Sequence, residues 1–265
     1  MVALSVAVMA HPVRRSLVEE LLAQLGDVPV SWDPHTETSA DPARRWATGR
    51  AAFEMADPES DWHVVVQDDA VVAEHFREGL AEALEHVPFG AIVSGYLGTK
   101  RPAQNHVRSA IAHADKHGSP WVVLDQLKWG PAIAVPTHTI PEMLEWCDLQ
   151  VTAPYDARIG WYYCDVLGWS CWYTWPSLVD HRQGPSLCGH GAVGRFAHRF
   201  ADDALEPDWS VMPANQTGVP RAFRNVQSGR LVIVRDDVHA SQMASARRWV
   251  EVDTETLPMA SHPLR

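Results

Sequence analysis

Val64-Val65-Val66-Gln67-Asp68-Asp69-Ala70, preceded by Asp61-Trp62-His63, runs three valines into two adjacent carboxylates. A short β-branched apolar run reads as a buried strand, and acids at its end suit a divalent cation held against a diphosphate. Hard cations take oxygen ligands. Mg²⁺ usually keeps one or two protein carboxylates and fills its other positions with phosphate and water, and Mn²⁺ accepts the same donors. Successive strand residues point to opposite faces, so Asp68 and Asp69 are expected to divide their work, one on a metal and one on a ribose or backbone amide. A plainer role is also open to the pair. Val72 to Leu84 reads as a helix, and acids at a helix start satisfy free amides and suit the dipole.

The chain has 265 residues, a size that fits one α/β domain or a domain with a small appendage. No apolar run approaches a membrane span, and Met1-Val2-Ala3-Leu4-Ser5-Val6-Ala7-Val8 lacks a basic leader, so a soluble cytoplasmic protein is expected. Cys147, Cys164, Cys171 and Cys188 show no Cys-x-x-Cys spacing and read as core or incidental thiols. A formal net charge of −11 argues against clamping nucleic acid over a broad surface, although a local groove at Arg101, His106 and Arg108 stays open. His113 and His117 have the spacing of two ligands on one helical face, but no third ligand follows and they read as surface residues.

Along the chain, Val2 to Met9 reads as a strand, Ser16 to Leu25 as a helix, Val28 to Trp32 as a strand and Pro42 to Ala56 as a helix. The Val64 strand comes next, which makes an alternating α/β series. Open sheets of that kind bind ligands beyond the carboxyl ends of their strands, where His11, Asp33 and Asp68-Asp69 fall. Ala91 to Ser94, Trp121 to Leu124 and Ser170 to Trp175 read as further strands, with an apolar run at Ala132 to Val135. Gln104 to His117, Ile140 to Cys147 and Tyr155 to Gly168 read as helices. Pro213 to Pro220 looks like a linker, followed by a strand at Gly229 to Val234 and then a helix and final strand within Ala240 to Val252.

His11 with Arg14, Asp33, the Gln67-Asp68-Asp69 turn, Trp129-Gly130-Pro131, Asp156 and Pro176-Ser177-Leu178-Val179-Asp180-His181 together resemble GT-A-fold glycosyltransferases, over about Val2 to His190. The resemblance implies an α/β fold with a GT-A-like, Rossmann-type central sheet flanked by helices. It places a catalytic domain at 1–210, with a nucleotide-sugar half at about 1–100 and an acceptor half at about 101–210, and leaves 211–265 as linker and small C-terminal α/β appendage. It also implies a nucleotide-diphosphate sugar as donor, a UDP-sugar foremost, with Mn²⁺ or Mg²⁺. Gln67 stands where the family motif Asp-x-Asp has its first acid, so Asp69 is the expected direct ligand. The Pro-Ser-Leu-Val-x-His segment implies that His181 completes the metal or diphosphate site; Asp180 stands where relatives often have Gln. Asp156, at a helix start beyond the Gly-Pro turn, is implied as the base that takes the acceptor proton, with Asp165 in reserve.

On the donor side, Asp33 suits hydrogen bonds from a uracil or ribose. Arg14, Arg45 and Arg50 suit a diphosphate because guanidinium groups pair with phosphate oxygens, although arginine on an exposed helix is usually solvated. Together with His11, Gln67 and Asp68 they form the expected nucleotide-sugar set. Trp161, Trp169, Trp172 and Trp175 fit an acceptor wall and a core equally. The expected reaction is metal-dependent sugar transfer to a hydroxyl of a glycan, a protein or a modified DNA base, as in compact bacterial and phage enzymes, in the bacterial or host cytoplasm. Two other readings stay open. One is a noncatalytic carbohydrate-binding or assembly protein; the other is a nucleotidyltransferase, for which Met9-Ala10-His11-Pro12 lacks the glycine-rich loop.

Overall fold

The computed structural model describes residues 2–100, 104–183, 187, 194–213, 221–226, 231–234 and 249–252. Two compact units divide the chain, Met1–Pro213 and Ala214–Arg265.

In the first unit β1 (Leu4–Ala10) lies between β2 (Val30–Trp32) and β3 (Trp62–Gln67), all parallel. Met9 is in register with both Ser31 and Gln67, so the three strands end level and deliver His11, Asp33 and Asp68 to one edge. Val64, Val65 and Val66 are at most 1% exposed. A strand covered on both faces has no reason to alternate, which accounts for three valines in a row.

A short strand β4 (Ala70–Val72) follows β3, and beyond it the sheet continues through β5 (Ala91–Ser94), β6 (Trp121–Leu124), β7 (Ala132–Pro136) and β8 (Ser170–Thr174). The order is β2-β1-β3-β7-β5-β8-β6, with β7 and β6 antiparallel to their neighbours. The architecture is α/β and Rossmann-like: a mixed seven-stranded sheet flanked by helices. The chain leaves β1 for β2 on one side and returns to β3 on the other, the kind of reversal at which such sheets bind ligands.

Helix α1 (Arg15–Leu25) follows β1, and α2 (Pro42–Glu54) packs on β1, β2 and β3 with Trp46, Ala52 and Phe53 buried. Asp41 caps α2, its Oδ1 accepting from the Ala43 N–H at 3.0 Å, with Pro42 at the first helical position.

The helix expected over Val72 to Leu84 starts late. Ala70–Val72 pairs antiparallel with β9 (Val179–His181), and α3 runs only from Phe76 to Glu85. Val72, Phe76, Leu80 and Leu84 keep helical spacing, so the local pattern extends one turn beyond the real helix; a partner strand distant in sequence claims Val72. Asp68 and Asp69 therefore cap no helix.

Past α4 (Gln104–His117) and α5 (Ile140–Asp148), the helix expected over Tyr155 to Gly168 is two pieces, α6 (Tyr155–Gly160) and a π-helical stretch at Trp161–Val166. Trp172 is fully buried and meets the Trp121 ring edge-on at 5.2 Å between centroids, and Trp175 Nε1 donates to Asp115 at 2.7 Å. These two tryptophans are core.

In the second unit β10 (Arg221–Asn225) lies between β11 (Leu231–Val234) and β12 (Trp249–Val252), antiparallel to both. The helix expected between Ala240 and β12, most of the expected linker, and Arg101 lie outside the described residues. Among the described residues, no helix is long and apolar enough to cross a membrane.

One titrating group is locked into the core of the sheet. His63 on β3 is fully buried between Ser5 Oγ at 2.8 Å and Ala52 O at 3.0 Å. Burial, only partly offset by the bond to Ala52, brings its pKa down from 6.5 to about 4. A depressed folded-state pKa favours the neutral ring, so the stability it contributes is complete above pH 6.5 and is lost as pH falls toward 4. The amount is roughly 3 kcal/mol. Urea unfolding of the parent is expected to lose stability across that window more steeply than His63→Gln, and parallel pH profiles would show that His63 does not titrate there.

Candidate active site

The pairing of β4 with β9 sets Ala70 opposite His181. That register brings His181 Nε2 to 3.2 Å from Asp69 Oδ2, and the Arg182 N–H donates to Asp69 O at 2.8 Å. A carbonyl can only accept, so His181 Nδ1 donates to Arg182 O at 2.8 Å and Nε2 is turned to the carboxylate. Asp180 faces the other way on the strand, where its Oδ1 accepts from the Ala197 N–H at 2.7 Å.

Asp68 is held by β1. Its N–H donates to Met9 O at 3.0 Å, and its Oδ2 accepts from the His11 N–H at 2.7 Å. The His11 ring stays local, with Nδ1 accepting from the Val13 N–H at 3.2 Å and Nε2 3.3 Å from Glu37 O. Arg14 ties the acids together: its Nη1 donates to Asp68 Oδ1 at 2.7 Å and to Asp69 Oδ2 at 2.6 Å.

Both acids are buried, and their environments push them apart. Burial, then the neighbouring Asp69 charge, raises the Asp68 pKa against the pull of Arg14 and His11. Burial would raise Asp69 too, but His181 and Arg14 hold it below the usual carboxylate range. Burial acts to lower His181, and Asp69 more than reverses this by hydrogen bond and charge. The result is an ion pair in which Asp69 Oδ2 takes two cationic donors.

Asp69 Oδ1 is buried and accepts no hydrogen bond from any described residue. An unsatisfied buried acceptor costs about 1–3 kcal/mol, more on a charged group, and a bound cation would relieve that cost. Carboxylate oxygens with an imidazole whose far nitrogen is held by a carbonyl form a donor set of the kind that ligates divalent metals. Among the described residues only Glu74, His75 and Asp203 bring three such ligand atoms together; Asp69 with a neutral His181 would offer two.

Gly130 joins the other side. The Gln67 N–H donates to Pro131 O at 2.8 Å, because β7 starts where β3 ends. A methyl group at Gly130 would stand 3.0 Å from Gln67 Nε2, 3.2 Å from Asp156 Cβ and 3.4 Å from Tyr155 Cδ1. Asp156, at the start of α6, is thus brought next to Gln67, while Asp165 is exposed on the π-helical stretch.

Asp33 stands at the end of β2, with both oxygens taken by Arg44 Nε at 3.2 and 3.0 Å and one by the His35 N–H at 2.9 Å. Arg44 was not among the residues expected here. Arg44 and Arg45 each stand one turn before a buried position, Thr48 or Gly49, so helical phase does not tell them apart. Arg45 Nη2 instead donates to Ala40 O at 3.1 Å. Arg50 pairs with Glu54 at 2.5 Å and Asp148 at 3.1 Å, which places it on the α2–α5 side and not with the acids. A separate grouping of Glu74, His75 and Asp203 lies largely exposed, with His75 already paired to Asp203 at 3.1 Å.

No family model matches this chain, and no curated protein matches it. Among solved structures it is similar to a mannose-1-phosphate geranyltransferase from Thermus thermophilus, at 14% identity and a TM-score of 0.33, over 65% of this chain and 73% of that one. At that distance the chemistry of this chain has to be read from its own residues.

Those residues order the two acids. Burial opposes both acids, but Asp69 has two charged partners, His181 and Arg14, whereas Asp68 has Arg14 alone and sits beside the Asp69 charge. Removing one member of a buried pair costs about 3–5 kcal/mol, discounted here because the side chains keep some solvent contact. Asp69→Asn is therefore expected to cost more stability than Asp68→Asn in urea unfolding at pH 6 with chelator present. Equal losses, or the reverse order, would contradict this charge assignment.

Proposed function

We propose that the chain is a transferase of the GT-A kind that takes a nucleotide-diphosphate sugar, a UDP-sugar foremost, and passes the sugar to a hydroxyl acceptor. The observation that carries this reading is the β4–β9 register. It joins Asp69 to His181 at the carboxyl ends of β1 and β3, with Asp156 gathered beside Gln67 across Gly130.

In this reading Asp69 and His181 would hold Mn²⁺ or Mg²⁺, which when bound would neutralise charge growing on the departing diphosphate, with Asp68 on the nucleotide-sugar side. Asp33 with its Arg44 partner sits at the end of the strand beside β1, where the ribose or base is expected. Gln67 supplies amide donors next to the transferred group. Asp156 takes the acceptor proton as the acceptor oxygen attacks the anomeric carbon, and a base in that role goes with inversion. Arg45 and Arg50 have no part in this scheme, because Arg45 holds the Ala40 carbonyl before α2 and Arg50 pairs with Glu54 and Asp148.

The acceptor belongs to the classes already named, a glycan, a protein or a modified DNA base. A bacterial or phage source and a cytoplasmic setting remain part of the proposal.

The test is a panel of UDP-, GDP- and dTDP-sugars scored for nucleotide release with Mn²⁺, with Mg²⁺ and with chelator. Slow, metal-dependent hydrolysis of at least one donor is expected. No release together with no metal-dependent thermal shift would defeat the enzyme reading. Pyrophosphate release from a nucleoside triphosphate and a sugar 1-phosphate would instead assign nucleotidyl transfer.

Two variants then separate the roles. Asp69→Asn is expected to lose metal-dependent nucleotide binding by at least tenfold, while Asp156→Asn keeps binding and loses transfer by about 10²-fold or more, the usual scale for a general base. Unchanged binding in Asp69→Asn would remove Asp69 from the metal.

A further inference from the structure

Tyr96 leaves β5 at the same edge of the sheet as the acids. From the two sides of β7, the Gln67 N–H donates to Pro131 O at 2.8 Å and the Gly95 N–H donates to Ala132 O at 3.1 Å. Val66 is in register with Ala132 on one side and Ser94 with Ile133 on the other, so Tyr96 comes level with Gln67 across the start of β7. Further bonds tie this corner to the segment that delivers His181. The Val179 N–H donates to Gly95 O at 2.9 Å, and the Leu97 N–H donates to Ser177 Oγ at 2.9 Å.

The ring of Tyr96 is held in place. The residue is 2% exposed and meets the Trp129 ring edge-on at 6.3 Å between centroids. Gly98 makes the room, since a methyl group there would stand 2.6 Å from Tyr96 Cε1 and 2.9 Å from both Tyr96 Cζ and Trp129 Nε1. Buried phenols usually find a hydrogen-bond partner. The bonds of Tyr96 are all made by its backbone, its N–H and O meeting Ser94 Oγ at 3.4 and 3.2 Å, and its hydroxyl has no partner among the described residues.

The charges around that hydroxyl select what it can take. Burial and then the Asp180 charge raise its pKa, with Asp69 adding to this and Arg195 opposing it. The phenol therefore stays protonated, with one hydrogen to donate and lone pairs to accept. A phosphate would bring further negative charge within reach of two carboxylates. A neutral hydroxyl on a ligand brings none and matches both functions of the phenol. The edge itself is where sheets of this kind bind ligands, and Tyr96 lies past β7, away from the β1–β2 side where ribose and base are expected.

We propose that Tyr96 is a specificity-determining residue whose hydroxyl hydrogen-bonds one hydroxyl of the sugar carried on the nucleotide diphosphate. Gln67 and Tyr96 then flank that sugar from the ends of β3 and β5, with the start of β7 between them. The proposal rests on the nucleotide-sugar reading of the site and names the group in it that reads the sugar. A rigid ring backed by Trp129 and Gly98 places the hydroxyl without ordering cost when the donor binds.

Tyr96→Phe in the full chain removes the hydroxyl and keeps the ring on Trp129. Calorimetry with Mn²⁺ present would compare parent and variant on two probes, the nucleotide sugar that the parent binds best among the UDP-, GDP- and dTDP-sugars and its free nucleoside diphosphate. The variant is expected to bind the free nucleotide within about twofold of the parent and the nucleotide sugar about three- to tenfold more weakly, the scale of one neutral hydrogen bond. Its urea midpoint is expected to match that of the parent or exceed it, because the hydroxyl has no partner to lose. Equal binding of the nucleotide sugar by parent and variant would overturn the proposal and leave the donor reading standing. An equal loss on both probes, a lower urea midpoint or a failure to fold would also overturn it, by giving the hydroxyl to the nucleotide or to the fold. If the parent binds none of the nucleotide sugars, the donor reading and this proposal fall together.

Discussion

Two carboxylates side by side behind a closed strand repel each other, and the fold at this edge has to bring positive charge to them. It does so from segments far apart in the chain. Arg14 comes from the turn after β1, and His181 from the end of β9. Each cation is placed by backbone pairing: Asp68 is pinned to Met9 and His11, and Asp69 is pinned to Arg182 by the β4–β9 ladder. Arg182 reaches further, to Glu20 on α1 at 2.7 Å, so the helix after β1 is fastened to the same corner. Residues 9–14, 67–70 and 179–182 form one electrostatic unit, and the short strands β4 and β9 hold it in register.

The parts of this legible in sequence were those governed by local pattern. The valine run, the alternation of strands and helices through β3 and the gathering of acids at strand ends follow from burial and topology that repeat within a few residues. The meeting of Asp69 with His181 was expected only through the family likeness of the Pro176 to His181 segment, and nothing local to either residue forces it. β4 was hidden because Val72 continues the spacing of α3, and only a strand more than 100 residues away makes it extended. The split of the Tyr155 to Gly168 segment into α6 and a π-helical stretch was hidden for a like reason. Helical spacing cannot separate a regular helix from one that widens by a residue per turn.

Side-chain partners were less legible than elements. Asp33 was visible at the end of β2, but its partner Arg44 was not, because choosing between two adjacent arginines on α2 needs the path of the loop over residues 35–41. The tryptophans were ambiguous for a different reason, since an aromatic face suits a sugar and a core alike. Burial decided Trp172 and Trp175 for the core, with the Trp121 and Trp209 rings packed against one another beside them at 5.1 Å.

The amide at position 67 follows from the same charge balance. Asp68 and Asp69 already consume Arg14 and His181, and Asp156 adds a further acid next to Gln67 across Gly130. An acid at 67 would add another negative charge next to the buried pair and near Asp156, and a charge left uncompensated in such a position is costly. A neutral side chain with two N–H donors keeps the space polar without adding to that charge. The departure from an acidic first position thus leaves an uncharged side chain at the end of β3, next to the buried pair and with Asp156 across Gly130.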